Sequence, residues 1–350
     1  MAYTVIDKPT DYFNTKLYTG SGSAQNITGV GFEPSWIWIK NRSYADHHKI
    51  VDRPRWVSDS NSAQISSNRT NAAGTQGIIT AFGSDGFSLS TGDRGWNSSD
   101  GDGFVSWNWK ANGAGATNEA GSINTIKTSA STTSGFSIVT YTGNGTSGAT
   151  IGHGLGVVPK VVIVKLTSGG GYDWGVYHAS LGNTKNMRLN LTDAVATSTA
   201  FWNDTTPTST LVSLGDNATT NSSGTYVAYC FAEVKGFSKM GSYTGNGNAD
   251  GPFIYTGFKP AWIMIKSATT AESWMLFDNK RLGFNPDNDY LLANAVDVEP
   301  ADEEVLDIVS NGFKPRVTAG TLNTSGQTYI YMAFAESPFV TSTGIPATAR

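Results

Sequence analysis

One pentapeptide is written three times in this chain: Tyr18–Gly22 reads YTGSG, and Tyr141–Gly145 and Tyr243–Gly247 both read YTGNG. At nearly equal distances after each copy come GFEPSWIWIK (Gly31–Lys40), GLGVVPKVVIVK (Gly154–Lys165) and GFKPAWIMIK (Gly257–Lys266). Three more shared pieces follow in the same order. An apolar or aromatic segment ends on a polar residue in HKIVD (His48–Asp52), YDWGVYH (Tyr172–His178) and SWMLFD (Ser273–Asp278). Next come QISSN (Gln64–Asn68), LNL (Leu189–Leu191) and LLAN (Leu291–Asn294). Each copy closes on a Gly-led run: DGFVSWNW (Asp102–Trp109), GTYVAYCFAE (Gly224–Glu233) and GQTYIYMAFAE (Gly326–Glu336). Such a chain folds as three versions of one unit.

The closing runs alternate β-branched or aromatic residues with small or polar ones, a period of two that belongs to strands with one face in a core. PSWIWIK and PAWIMIK read the same way, with proline at the strand entrance, where a missing N–H costs nothing. A "GF" strand start, DGFSL (Asp85–Leu89) and NGFKP (Asn311–Pro315), is blurred in the second copy. Helical periodicity is nearly absent, and EPADEEVLDIVS (Glu299–Ser310) reads at most as a short helical turn or an acidic loop. A repeat of roughly 100 to 120 residues exceeds a solenoid unit and matches one β-sandwich. The expectation is an all-β chain of three tandem β-sandwich modules related by internal repetition and meeting end to end. Module one spans 1–113, module two 134–235, and module three, with a C-terminal tail, 236–350. The Gly/Ala/Ser/Thr-rich tract 114–133 reads as a linker that leaves modules one and two more loosely joined than two and three.

Composition narrows the function classes. Charged residues make up 15% of the chain, against about 25% in an ordinary globular protein, while glycine occurs 40 times, which suits short strands joined by polar turns. A formal charge of −4 with no Lys/Arg stripe argues against a nucleic-acid partner. No apolar run approaches the roughly 18 residues that a membrane-spanning helix needs, so membrane insertion is not expected. The first residues lack the pattern of a secretory signal, pointing to synthesis and folding in a cytoplasm. Cys230 is the single cysteine, so no intramolecular disulfide forms, and it reads as a small buried hydrophobe.

Candidate sites are few. The histidines are His47, His48, His153 and His178; the adjacent pair would face opposite ways on a strand and could not share a metal. His178 aligns with Asp52 and Asp278 at a strand end, where a turn-stabilising hydrogen bond is the ordinary role. SSDGDGF (Ser98–Phe104) and NPDNDY (Asn285–Tyr290) space carboxylates as calcium loops do, yet neither supplies the oxygen ligands the ion wants. No nucleophile elbow, HExxH or phosphate-binding glycine loop occurs. The chain is read as non-enzymatic, with no catalytic, cofactor-binding or metal-binding residue. Trp96, Trp202 and His153 stand in loop segments as weak candidates for ligand contact. The turn residues Tyr18, Gly20, Tyr141, Gly143, Gly145, Tyr243, Gly245 and Gly247 mark where each module begins. Their glycines serve turns needing positive φ, because a β-type segment follows each one where a phosphate cradle would need a helix N-terminus.

The strings DYFNTKLYTGSGSAQNITGVGFEPSWIWIKNRS, GLGVVPKVVIVK, AYCFAEVKGFSKMGSYTGNGNADGPFIYTGFKPAWIMIK and GQTYIYMAFAESPFVTSTGIPATAR give the chain a family likeness. It resembles virion structural, tail-fibre-like proteins encoded by tailed bacteriophages, common among aquatic phages, with a domain of unknown function over the second and third modules. The resemblance implies a protein on the virion surface, made in the host cytoplasm. Its implied role is a tail fibre or appendage contributing to host attachment; a capsid decoration protein and a glycan-binding or glycan-degrading module are the alternatives. The partners implied are other virion proteins of tail or capsid and a host surface glycan or protein, with homo-oligomers, often trimers, usual in the class.

Overall fold

The computed structural model describes residues 3–281, 285, 288–301 and 303–346. Module one contains β1 (Phe13–Thr19), β2 (Gln25–Thr28), β3 (Trp36–Asn41), β4 (Lys49–Asp52), β5 (Ile79–Gly83), β6 (Gly86–Leu89) and β7 (Gly103–Trp109). They form two antiparallel sheets, a large one in the order β1-β7-β3-β4 and a small one in the order β2-β6-β5.

Module two contains β8 (Lys127–Ser131), β9 (Phe136–Gly143), β10 (Ala149–Gly152), β11 (Val161–Leu166), β12 (Gly175–His178), β13 (Lys185–Arg188), β14 (Ala196–Thr197), the short helix α1 (Thr199–Trp202), β15 (Leu211–Leu214) and β16 (Gly224–Phe231). Module three contains β17 (Ser238–Thr244), β18 (Ile254–Tyr255), β19 (Phe258–Ser267), β20 (Met275–Asp278), β21 (Leu291–Leu292), β22 (Leu306–Val309), β23 (Gly312–Pro315) and β24 (Thr328–Pro338). The order β1-β7-β3-β4 recurs as β9-β16-β11-β12 and as β17-β24-β19-β20, and the small sheet recurs as β18-β23-β22. Module two keeps only the pair β10-β15 in its small sheet. Beside that pair, α1 puts Phe201 and Trp202 into the module's core. The chain is therefore all-β, with separate antiparallel sheets grouped in three repeated sandwiches.

The modules do not sit end to end. The middle strands of the large sheets are buried on both faces, and the two faces enter different cores. Ile37 and Ile39 face module one's own core with Phe87 and Leu89, and Val162 and Val164 face module two's with Val212 and Leu214. Trp36 and Trp38, Val161 and Ile163, and Trp262 and Met264 all belong instead to one core common to the three modules. At its centre Trp109, Phe231 and Phe334 meet: ring centroids are 5.6 Å apart for Trp109–Phe334 and 5.9 Å for Phe231–Phe334, and Trp36 bridges Trp109 at 4.5 Å and Phe231 at 5.8 Å. A rigid aromatic side chain buried there contributes on the order of 2–3 kcal/mol. No module could leave this face in water. WIWIK, VVIVK and WIMIK are continuous apolar runs, the pattern of strands covered on both sides.

Three further expectations change. The tract 114–133 is an arm of module two: it contains β8, which pairs with β9, while Ala116 bridges Thr128 and Ile123 bridges Ile151. Modules one and two are thus joined through ordered chain and a shared core. Pro260 lies inside β19 at a break in register with β24, because the strand begins two residues earlier than the proline suggests. EPADEEVLDIVS ends as β22, with Leu306 and Ile308 buried; its Asp302, like Pro286 and Asp287 of NPDNDY and the last residues of the tail, lies outside the described residues.

Candidate functional site

Each YTGxG turn is held by a buried asparagine. The Asn97, Asn221 and Asn323 side chains accept from the backbone N–H of Ser21, Asn144 and Asn246 at 2.9, 2.8 and 2.8 Å. Their amide groups donate to carbonyls further along the turn, those of Ser23, Thr146 and Asn248. Tyr18, Tyr141 and Tyr243 stack on Phe104, Tyr226 and Tyr329, and each hydroxyl donates to the carbonyl one residue before the asparagine for Tyr18, Tyr141 and Tyr243, namely Trp96, Thr220 and Leu322. The two glycines differ in purpose. Gly22, Gly145 and Gly247 have φ of 69°, 67° and 67°, where L side chains are strained. Gly20, Gly143 and Gly245 are needed for close approach: a Cβ would stand 2.2–2.4 Å from the carbonyl oxygens of Ser98, Ser222 and Thr324.

The positions that look most like chemistry lie at the joints between modules. In module one Asp52 accepts from the Arg55 guanidinium and, across the joint, from the Tyr229 hydroxyl of module two at 2.6 Å. In module three Asp278 accepts from Arg281 at 2.7 Å and from the Trp107 indole of module one at 2.9 Å. Arg281 also donates to Glu299, which pairs with Arg42 of module one. Burial pushes the Asp278 carboxyl up, but Arg281 and its hydrogen bonds more than offset that and hold it below the usual carboxylate range. In module two the same position is His178, whose Nδ1 accepts from Ser180 N–H, so Nε2–H donates to the Tyr331 carbonyl of module three at 3.2 Å. Burial drops its pKa to about 4. Asp52, His178 and Asp278 thus make the turn bonds expected at a strand end, and each also reaches the next module.

A second set of contacts runs the opposite way. His48, Trp174 and Trp274 stand four residues before those strand ends. His48 Nδ1 accepts from the Trp38 indole at 2.8 Å, leaving Nε2–H to donate to Leu292 O of module three at 2.9 Å. The Trp174 indole donates to Ser66 O of module one at 3.0 Å, and the Trp274 indole to Arg188 O of module two at 2.9 Å. Backbone bonds repeat it once more, from Ala73 N–H to Thr167 O, Val195 N–H to Ala268 O and Glu299 N–H to Arg42 O. One meets two, two meets three and three meets one through equivalent residues, so the modules close a pseudo-threefold ring within one chain.

The lysines that end WIWIK, VVIVK and WIMIK are buried at these joints. Lys40 donates to the carbonyls of Asn41 and Val296, Lys165 to those of Thr70, Leu166 and Tyr172, and Lys266 to those of Ser267 and Thr270. Burial lowers each to about 8. Carbonyl oxygens are what an ammonium needs when withdrawn from water.

The weak ligand candidates point inward. Trp96 is 5% exposed and packs in module one's core; Trp202 is 1% exposed, edge-on to Tyr177 in module two's. His153 is fully buried, with Nδ1 accepting from Leu155 N–H and Nε2–H donating to Thr208 O. Loop position suggested exposure for all three, but Trp96 and, from α1, Trp202 are recruited into the apolar cores of their own modules, and both ring nitrogens of His153 are taken up by backbone groups. Cys230 is buried in module two's core, which pushes its thiol up to about 12. In SSDGDGF, Asp100 pairs with Arg94 and Asp102 accepts from Asn41. Among the described residues no three His, Cys, Asp or Glu side chains gather as a metal site.

No curated protein and no solved structure matches the chain. A family model does match, over residues 8–338, and so covers all three modules where the resemblance placed a domain of unknown function on the second and third. The chain belongs to the family described as Domain of unknown function (DUF7483).

Proposed function

We propose that this chain is a non-enzymatic structural protein exposed on the surface of a bacteriophage particle, an appendage that contributes to host attachment. The observation that carries the reading is the use of the buried polar side chains. The Asp52–Arg55 and Asp278–Arg281 pairs, His48, His178 and the buried Lys40 and Lys165 all hold modules together. A ring of three sandwiches locked in this way suits a part that must keep its shape outside a cell. Its partners under this reading are other virion proteins and a host surface glycan or protein.

A capsid decoration protein is the second reading. It is favoured by the three-lobed body, which holds its own threefold arrangement without a coiled-coil stalk; the one α-helix among the described residues is Thr199–Trp202. Gold-labelled antibody on purified virions separates the two. Label at the tail supports the appendage, and label on the capsid facets alone ends it. New reducing ends from host polysaccharide incubated with the protein would overturn the non-enzymatic assignment.

A further inference from the structure

The three modules differ most on the outer faces of their small sheets. On β2, Ile27 points into module one's core, leaving Asn26 and Thr28 outside, where Ser88 donates to Asn26 at 2.7 Å. On β10, Ile151 points inward and Thr150 lies under the arm, bonded to Ser122, while Asn118 crowds Gly152. Module three has Ile254 inward and Phe253 and Tyr255 outward, 52% and 54% exposed. Two residues apart on an extended chain, they stand about 7 Å from each other on one face. Gly312 opposes Tyr255, and a Cβ there would meet the Phe253 ring at 3.0 Å, so bare backbone lies beside the ring. Nothing in the core calls for these two aromatics: modules one and two close the same sheet without them.

Tyr255 also borders a cleft of about 410 Å³ with Tyr3, Glu233, Lys235 and Lys239. The Tyr3 hydroxyl donates to Gly257 O at 2.9 Å, so the Tyr255 hydroxyl, 2.8 Å away, donates to Tyr3 and keeps its own oxygen free to accept. The charges around the platform are matched. Lys314 pairs with Asp250, Arg316 with Asp250 and Asp307, and Lys239 with Glu233, while Lys235 lies over the Tyr3 ring. A surface whose carboxylates already sit on most of its cations has little pull on a polyanion. It offers donors and acceptors side by side, flanking flat rings.

The geometry points to Phe253, Tyr255 and the adjoining cleft as a binding face for a neutral saccharide: sugar rings stack on the aromatics while their hydroxyls bond to the matched charged groups. This rests on the attachment reading above and names the ligand class and the module that would serve it.

The test titrates the full chain by calorimetry and saturation-transfer NMR with cellohexaose, laminarihexaose, maltohexaose and neutral polysaccharide extracted from the host envelope, with heparin as the anionic comparison. Binding of one or more neutral probes is expected, with heparin bound no better. Phe253→Ala and Tyr255→Ala should each weaken it about tenfold or more, as truncating a central aromatic anchor does. Asn26→Ala and Thr28→Ala, at the same positions of module one, should leave it unchanged. No binding of any neutral probe, tighter binding of heparin, or binding unmoved by the aromatic variants overturns the assignment. So does a change of sedimentation in those variants without saccharide binding, which would make the face a contact between copies. Virion adsorption blocked by antibody to the protein, together with any of these failures, would leave the attachment reading standing; virions that lack the protein and still adsorb would end that reading separately.

Discussion

The joint between modules three and one and the joint between modules two and three occupy equivalent places in the ring and use opposite chemistry. At the first, Asp278 and Arg281 are buried together, and Glu299 and Arg42 extend the network. At the second, the same two positions hold His178 and Leu181: a neutral imidazole reaches one carbonyl, and the leucine packs on the shared core. The joint between modules one and two, with Asp52 and Arg55, follows the ionic pattern. The backbone geometry thus accepts either solution. A buried ion pair is costly to break yet replaceable by apolar groups of similar volume, because its attraction mainly offsets the desolvation of its own charges.

The largest expected difference comes from breaking a single partner. Asp278→Ala leaves the Trp107 indole without its acceptor and the buried Arg281 cation with Glu299 as its one carboxylate, and should cost about 3–5 kcal/mol, whereas His178→Ala should cost about 1–3 kcal/mol. Urea unfolding of the two variants checks this, and equal losses would erase the distinction between the joints.

Acid should reach the joint histidines, His178 and His48, before the joint carboxylates, since burial holds both imidazoles below their ordinary range. His178 titrates at about 4 when folded, against 6.5 for an unperturbed imidazole. Between those values the unfolded chain binds a proton that the folded chain does not, so this contribution is present above pH 6.5 and falls away toward pH 4, by about 3 kcal/mol in total. Asp278 is held below the usual carboxylate range, so its contribution is lost only as the pH falls below that range. Stability measured from pH 7 to 4 should therefore be flatter in His178→Gln than in the parent. Parallel curves would remove His178 from the account.

The repeated turns permit a smaller contrast between the same modules. Gly145→Val and Gly247→Val both force a β-branched residue to positive φ, at about 1–2 kcal/mol. The Gly247 change should be the worse of the two, since its Cβ would stand 2.9 Å from Ser325 while Gly145 faces open space. Thermal unfolding orders them; the reverse order would mean that the turn relaxes.

The smallest effect is expected where module two's chemistry is transplanted. Asp52→His with Arg55→Leu should fall within about 1 kcal/mol of the parent, because the Nε2–H of the new imidazole can donate to the Tyr229 hydroxyl oxygen that now donates to Asp52, far from the single Asp278→Ala loss. A loss as large as that of Asp278→Ala would show that the two kinds of joint are not interchangeable.

Much of the module was legible. YTGxG, the Pro-led strand, the polar strand end and the closing strand each recur at their places, because hydrophobic pattern and turn chemistry act locally. The shared core was signalled and misread. WIWIK, VVIVK and WIMIK have no polar residue on either face before the lysine, and an alternation drawn through them hides that both faces are apolar. The joint residues carried a fainter sign, the Asp-x-x-Arg spacing of Asp52–Arg55 and Asp278–Arg281. The turn asparagines Asn97, Asn221 and Asn323 were missed, since nothing in their neighbourhoods distinguishes an asparagine that plugs a turn from one that makes its own. Trp96 and Trp202 looked exposed because loop membership says where the backbone runs, while burial depends on what the loop closes over.

By itself the sequence determined three β-sandwich units, their strand order of recurrence and the glycines their turns require, all consequences of contacts between residues near in sequence or of a two-residue period. Only the tertiary structure decided that the units share a core and close a ring, and that the aromatic outer face appears on one of them alone. Those outcomes depend on which apolar faces find each other across a hundred residues or more. A face's pattern says that it must be covered, and the packing of the other two modules decides by what.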